Sequence, residues 1–330
     1  MIHSLSDFDY HLPQELIAQQ PASPRDHSRL LVYDRKTGNI KDDYFYNLHL
    51  YLPPETTLVI NNSKVEKSRL LFGNKEIFIT DQHNDYIADT LVRPGKKFKT
   101  GKKVELTPEI TAEVMEVLGD GRRRIRFNLP LDDRRFEPHR LTPFPPYIEQ
   151  DESLAERYQT IFARHFGSKA APTAGLHFTD EVFEALSKKG ISRAEVTLHV
   201  GLGTFAPVKD DKLENTLHSE LYEIDESTAG QLSSAAHITA VGTTSARVLE
   251  SNLLNSDHFT AGKASTDIYI KPGFQFKAVD ALVTNFHLPK STLLIMIASL
   301  MGYEEMRKVY RHAIAAQYRF YSFGDAMLIL

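Results

Sequence analysis

The stretch LTPFPPYI, residues 141–148, indicates how the chain is divided into domains, because three prolines fall within four residues. Proline has no backbone N–H and a fixed φ angle, so the stretch can continue neither a β-ladder nor a helix. We therefore expect a domain boundary close to residue 143.

The segment before this boundary, residues 64–143, has the pattern of short β-strands. EIFI (76–79), VELT (104–107) and RIRF (124–127) are separated by turns rich in glycine and aspartate. Many short strands with such spacing are typical of a small β-barrel.

The segments outside residues 64–143 have the pattern of a layered α/β domain. LLVY (30–33) and TLVI (57–60) are apolar runs bounded by Gly, Pro or Asn, which indicates buried strands. In the second half, predicted helices at 180–189, 227–237 and 293–317 alternate with predicted strands at 195–200, 238–241 and 281–284. The sequence thus predicts a mixed-sheet α/β domain, residues 1–63 and 144–330, interrupted by an inserted small β-barrel domain, residues 64–143.

Composition narrows the class of protein. The 330 residues include no cysteine, which excludes disulfides and thiolate metal sites, and we expect a cytoplasmic protein. The N-terminus lacks the pattern of a secretory signal, and the longest apolar run, 293–301, is well short of the roughly 20 residues of a spanning helix. Membrane insertion is not expected.

The net charge of −4 means that any contact with nucleic acid must come from a local basic patch. Two basic clusters lie in the predicted barrel, and either they contact nucleic acid or they are solvated turns. The residues chosen as candidate tRNA contacts are Lys96, Lys97, Arg123 and Arg124.

Four segments of the second half share one composition. AAPTAGLHF (170–178), LHVGLGTF (198–205), VGTTSAR (241–247) and VTNFHLP (283–289) each join an apolar run to small and then polar residues. In α/β sheets such strand ends form the ligand crevice, because glycine lets the backbone approach the ligand. We expect the four segments to converge, although a single glycine or histidine among them, such as His199, has an ordinary structural role as an alternative.

Residues 201–206, GLGTFA, match the G-x-G-x-x-G/A dinucleotide fingerprint, with Glu223 about twenty residues further on. The fingerprint must open a helix, whereas Pro207 follows at once. A Rossmann-type AdoMet methyltransferase or NAD enzyme is therefore an alternative only. A non-catalytic RNA-binding module that uses the barrel is another.

The sequence closely resembles the S-adenosylmethionine:tRNA ribosyltransferase-isomerase family of the queuosine pathway. The similar segments are DFDYHLP (7–13), PRDHSRLL (24–31), PPYI (145–148), 171–178, 196–205, HSE (218–220), 241–251, 269–276, 279–292 and 318–327. The match is poorest over 64–141, where EKS (66–68) replaces the usual Ile-Pro-Ala and GNK (73–75) shortens a glycine-rich approach to the next strand.

The resemblance implies an α/β domain interrupted by a β-barrel and an unusual use of S-adenosylmethionine (AdoMet). The ribosyl moiety of AdoMet is transferred to 7-aminomethyl-7-deazaguanine in the tRNA anticodon and isomerised, which gives epoxyqueuosine and releases adenine and methionine. The implied partners are AdoMet, as co-substrate, and the anticodon stem-loop of the tRNA. No metal or further cofactor is implied, and a monomer is favoured with an oligomer left open.

This chemistry assigns expected roles to the residues. The positive sulfonium acidifies the adjacent 5′ carbon, so a general base is needed; His177 and His199 lead, with Glu220 and His218 next. Phosphate contacts at the rim are expected from Arg247 and Arg319. Asp325 either caps or pairs at the pocket or belongs to a terminal strand in the core. The residues expected to bind substrate are Thr173, Gly175, Phe178, Gly201, Gly203, Thr204, Phe205, Thr243, Thr244, Ser245, Arg247, Asn285, His287, Arg319 and Asp325.

Overall fold

The computed structural model describes residues 4–201, 217, 219–254 and 256–330. The chain forms two compact units: residues 1–64, 146–149 and 154–330 make the first, and residues 65–145 and 150–153 the second. The predicted boundaries at 64 and 143 lie within three residues of these limits. The sequence did not predict that residues 150–153 also belong to the second unit.

The described residues contain the following strands and helices. The strands are β1 (Arg29–Asp34), β2 (Asn39–Tyr44), β3 (Thr56–Asn61), β4 (Ser63–Val65), β5 (Arg69–Phe72), β6 (Lys75–Gln82), β7 (Ile87–Arg93), β8 (Lys103–Glu105), β9 (Thr111–Val117), β10 (Arg123–Phe127), β11 (Arg140–Leu141), β12 (His165–Ser168), β13 (Ser192–Leu198), β14 (Glu220–Ile224), β15 (His237–Val241), β16 (Gly262–Thr266), β17 (Ala281–Asn285) and β18 (Ala326–Ile329). The helices are α1 (Asp180–Lys188), α2 (Glu226–Ser233), α3 (Gly242–Asn252), α4 (Thr292–Met301) and α5 (Tyr303–Ala315). None of the helices in these described ranges is long and apolar enough to cross a membrane.

The first unit is built on a mixed sheet of nine strands in the order β16-β14-β13-β3-β15-β17-β18-β1-β2. The four central strands, β13, β3, β15 and β17, run parallel to one another. Their carboxyl ends therefore meet at one edge of the sheet. Strand β18 is antiparallel to β17, with Ala326 opposite Asn285, so the chain enters β18 at this same edge.

Both faces of the sheet are buried, as the alternation along β1 shows. Leu31 and Tyr33 pack into one core with residues of α2 to α5, whereas Leu30 and Val32 pack into a second core with α1. Successive strand side chains point to opposite faces, so an unbroken apolar run is what a sheet covered on both sides requires. The predicted strands at 30–33 and 57–60 are confirmed for this reason.

The second unit is a curled antiparallel sheet of seven strands in the order β11-β5-β6-β7-β10-β9-β8. It wraps around its own apolar core, which includes Phe72, Phe127 and Phe136. Over the described residues of this unit its outer strands do not pair with each other, so the predicted barrel is an open, half-barrel sheet. The outer strands β11 and β8 span only two and three residues.

Two helix predictions need correction, and one helix was not predicted. The predicted helix over 293–317 is two helices, α4 and α5, because Gly302 between them has a φ of +94° that ends a right-handed helix. Helix α2 ends at Ser233 rather than at residue 237, where β15 begins. Residues 242–252 form helix α3, which the small and polar residues at its start concealed in the sequence.

Candidate active site

A cleft lies at the carboxyl edge of the parallel strands in the first unit. Its empty space amounts to about 680 Å³ when the open mouth is included. All four of the predicted segments contribute to its wall. The lining residues are Tyr147, Ala171, Pro172, Thr173, Ala174, Val200, Gly242, Thr243, Thr244, Thr284, Asn285, Phe286, His287, Leu288, Ser291, Leu293, Tyr321 and Ser322.

The turn from β15 into α3 brings a helix N-terminus to this cleft. Gly242 has a φ of +85°, which favours glycine, and a Cβ added there would lie 3.7 Å from the Cβ of Ala174. The residue before the helix, Val241, supplies no side-chain cap, whereas α1, α2 and α4 are capped by Thr179, Asp225 and Ser291. The N-terminus of α3 and its partial positive charge thus lie at the cleft without a side-chain cap.

His287 is held in the cleft wall by three hydroxyl groups. Its Nε2 lies 2.8 Å from Thr284 Oγ1, its N–H donates to Tyr310 Oη at 3.0 Å, and its carbonyl accepts a short hydrogen bond from Tyr10 Oη. Burial lowers the pKa of His287 to about 3, so the ring is neutral at pH 7. Among the described residues Nδ1 has no partner, which leaves this nitrogen available to a ligand.

His177 is buried behind the cleft, between Ser28 and Asn285. Its Nδ1 lies 2.7 Å from Ser28 Oγ and its Nε2 3.2 Å from Asn285 Nδ2. Asn285 Nδ2 also donates to the carbonyl of Tyr321, which fixes the orientation of the amide, so His177 Nε2 accepts and Nδ1 carries the proton. Burial lowers the pKa of His177 to about 4, although the negative charge of Asp325 acts in the opposite direction. With both ring nitrogens bound, His177 is placed to position Asn285 rather than to contact substrate.

Glu220 and Arg247 form a buried ion pair next to the cleft. One oxygen of Glu220 accepts a short hydrogen bond from Arg247 Nη1, and the other accepts from the N–H of Gly201 at 3.0 Å. The side chains are only 6% and 8% exposed. A phosphate of the tRNA backbone cannot reach a guanidinium buried this deeply, so the predicted rim contact by Arg247 does not fit its position.

Asp325 connects two chain segments near the amino end of β18 through hydrogen bonds. It accepts hydrogen bonds from the N–H groups of Arg29 (3.1 Å) and Arg319 (2.8 Å) and pairs with the Arg319 guanidinium at 2.8 Å. Tyr321 and Ser322, in the same loop, line the cleft. Both interpretations of this segment hold in part, because the loop before Asp325 reaches the cleft while β18 itself fills the core.

Several other predicted residues lie away from the cleft. Phe178 is fully buried against Phe45 and Phe183, and Ser245 bonds the carbonyl of Val241 at 2.8 Å. Gly175 is packed against Phe162, where an added Cβ would lie 2.7 Å from the ring. His199 is half-buried, with its ring against Gly167. Gly203, Thr204, Phe205 and His218 lie outside the described residues.

Sequence reasoning missed residues that enter the cleft from loops with no strand-end pattern. Tyr147 follows the proline-rich boundary, and its hydroxyl lies 2.8 Å from Ser322 Oγ. Its ring is 4.7 Å from that of Tyr321. Both tyrosines lie in segments that carry the family resemblance, so the resemblance could have identified them as site residues.

The basic residues of the second unit differ in how far their charge is already neutralised. Arg124 makes a bidentate pair with Asp89 at 2.8 and 3.1 Å, so the predicted phosphate contact would have to displace a carboxylate. Arg123 instead donates to the carbonyls of Phe98 and Gly121, and Lys97 donates to Asn74. Within residues 65–145, all of which are described, Lys96, Lys97 and Arg123 have no acidic partner, and we call these three the basic cluster.

Comparison with known proteins assigns the chain to a family. The sequence model of the family described as queuosine biosynthesis protein matches residues 5–329. The chain belongs to this family. Curated relatives named S-adenosylmethionine:tRNA ribosyltransferase-isomerase include one from Thermotoga maritima, 46% identical over 99% of each chain, and one from Staphylococcus saprophyticus, 45% identical over 98% of each chain.

A solved structure of the family has the same fold. The crystal structure of S-adenosylmethionine tRNA ribosyltransferase from Thermotoga maritima is 39% identical to this chain and covers 98% of it, with a TM-score of 0.58. The match includes 100% of that chain. The comparisons give no support to a Rossmann-type methyltransferase, an NAD enzyme or a non-catalytic RNA-binding module for this member of the queuosine family.

Proposed function

We propose that this family member transfers the ribosyl moiety of AdoMet to 7-aminomethyl-7-deazaguanine in a tRNA anticodon and isomerises it to epoxyqueuosine, releasing adenine and methionine. The observation that carries the proposal is the cleft, because most of its lining residues lie in segments that carry the family resemblance. The names of the curated relatives supply AdoMet and tRNA as the substrates.

The lining of the cleft suits AdoMet. Tyr147 and Tyr321 place aromatic rings at the cleft for the adenine ring and the sulfonium, since a cation gains roughly 2 kcal/mol over a ring when it is desolvated. Thr173 and Thr243 offer hydroxyl groups, and the buried Oδ1 of Asn285 has no partner among the described residues. An unpartnered buried acceptor is costly, so a donor such as the adenine amino group would be favoured there.

His287 is our choice for the group that removes the proton next to the sulfonium. Tyr147 and Tyr321 also line the cleft, but burial raises the pKa of both, that of Tyr147 to about 12, so each stays protonated. Among the described lining residues, His287 is therefore the ionisable group that is ready to accept a proton at pH 7. A carboxylate bound in the same cleft would raise its low pKa towards the working pH.

The test of the function follows both products in one reaction. The purified protein is incubated with AdoMet and an anticodon stem-loop that carries the aminomethyl deazaguanine. We expect free adenine to appear in step with an increase in RNA mass equal to the ribosyl adduct. S-adenosylhomocysteine in place of adenine would indicate a methyltransferase, and no product from AdoMet would indicate a binding module.

We propose that the basic cluster contacts phosphates of the tRNA. Each phosphate contact adds about one unit to the slope of log Kd against log salt. Replacing both Lys96 and Arg123 by alanine is expected to lower this slope by about two, as measured by tRNA binding over a series of salt concentrations. The matched control is Arg126→Ala, since Arg126 is half-exposed on the same strand and lies 3.9 Å from Glu113. An unchanged salt slope in the double variant would mean that these side chains are solvated and do not contact tRNA.

A further inference from the structure

Arg247 has two unused donors in a buried position. Its Nη1 pairs with Glu220, but Nε and Nη2 are buried and have no hydrogen-bond partner among the described residues. Leaving a buried donor unpaired costs about 1–3 kcal/mol, and more when the group is charged. A ligand that accepts hydrogen bonds from Nε and Nη2 would therefore remove this cost.

The position of Arg247 on α3 aims its side chain towards the cleft. Side chains on a helix lean towards its N-terminus, and residues three or four apart share one face. Thr243 and Thr244 lie four and three residues before Arg247, and both line the cleft. On the other side of the guanidinium, Glu220 holds the N–H of Gly201, which directly follows the cleft-lining Val200.

Further groups at the same place also favour an anion. Helix α3 has no side-chain cap, and its first three residues line the cleft, so the partial positive charge of its N-terminus lies at the cleft. Thr244 Oγ1 is buried and has no partner in the described parts of the chain. An arginine in the second turn of a helix is disfavoured by the helix dipole unless negative charge is nearby. Glu220 supplies one negative charge, and its two oxygens are engaged by Arg247 and Gly201.

We propose that Arg247, Thr244 and the N-terminus of α3 bind the carboxylate of the methionine part of AdoMet. The inference rests on the proposed function, because that function supplies AdoMet as the ligand. A planar carboxylate matches the two free donors of a guanidinium, and it is small enough to enter a site where the arginine side chain is 8% exposed. The phosphates of tRNA belong to a polymer that cannot enter this buried site. In this role, Arg247 distinguishes AdoMet from related sulfonium compounds that lack the carboxylate.

The test compares AdoMet with decarboxylated AdoMet, which keeps the adenosine, the sulfonium and the amine. Binding of each ligand to the full chain is measured by titration calorimetry. Charge-assisted hydrogen bonds contribute about 1.5–3 kcal/mol, so the unmodified protein is expected to prefer AdoMet by roughly 10- to 150-fold. In the Arg247→Met/Glu220→Gln double variant, which leaves no unpaired buried charge, this preference is expected to disappear while decarboxylated AdoMet binds as before.

A second variant covers the case in which the double variant does not fold. Arg247→Lys keeps the charge but loses the planar fork, and its preference for AdoMet is expected to fall about tenfold. Equal binding of the two ligands by the unmodified protein would overturn the inference, as would a preference that survives in the variants. A variant that keeps the preference but shows a smaller salt slope of tRNA binding would assign Arg247 to a phosphate instead. Failure of the proposed function is a separate result, namely no adenine release from AdoMet by the unmodified protein.

Discussion

Replacing His287 by glutamine is expected to lower kcat for adenine release by about 100- to 10 000-fold, the usual contribution of a positioned general base. Glutamine keeps a polar side chain near Thr284 but cannot take up a proton. The main-chain bonds of residue 287 to Tyr10 and Tyr310 remain, so the wall of the cleft is preserved. Steady-state kinetics with saturating stem-loop gives kcat and the KM for AdoMet separately.

The control is His177→Gln, which separates a base from a positioning residue. His177 contacts Ser28 and Asn285 and does not line the cleft, so this variant is expected to raise the KM for AdoMet more than it lowers kcat. If His287→Gln raised KM and left kcat unchanged, His287 would be a binding residue. If His177→Gln lost turnover and His287→Gln did not, the base would be His177, one of the two histidines that the sequence favoured.

Replacing Asp325 by alanine is expected to lower the free energy of unfolding by about 3 kcal/mol, because breaking a buried pair leaves its partners without compensation. The carboxylate is 1% exposed and accepts from the main chain at Arg29 and Arg319. Alanine would leave both N–H groups and the Arg319 guanidinium without this acceptor. About a third of the Arg319 side chain is exposed, so its guanidinium can still bind water. Urea unfolding followed by circular dichroism measures the loss.

Asp225→Ala is the matched control for this prediction. Asp225 is also an aspartate that accepts from a main-chain N–H, that of Thr228 at 2.6 Å, but it is an exposed cap of α2. Loss of such a cap costs about 1 kcal/mol. Equal losses in the two variants would show that Asp325 acts as an ordinary cap and does not hold the loop that brings Tyr321 and Ser322 to the cleft.

Much of the fold could be predicted because local sequence carries the signal. Apolar runs such as 30–33 and 57–60 are strands buried on both faces, and three prolines within residues 143–146 lie where the chain first leaves the second unit. The break at Gly302 was missed because an isolated glycine in an apolar pattern does not show its φ angle in the sequence. The open edge of the second sheet was also missed, since closure depends on pairing between strands that are far apart in the chain.

The sequence by itself determined that the polar ends of β13, β15 and β17 would meet, because parallel neighbours in an α/β sheet place their carboxyl ends at one edge. The fourth segment, 170–178, follows β12, which pairs with β4 in a separate two-stranded sheet. Only the tertiary structure decided what each side chain does there. The sequence pattern suggested His177 and Phe178 as site residues, but they are buried behind the cleft, whereas His287 lines it. Burial and hydrogen-bond partners come from segments hundreds of residues apart, such as Tyr10 with His287, and no local pattern encodes those contacts.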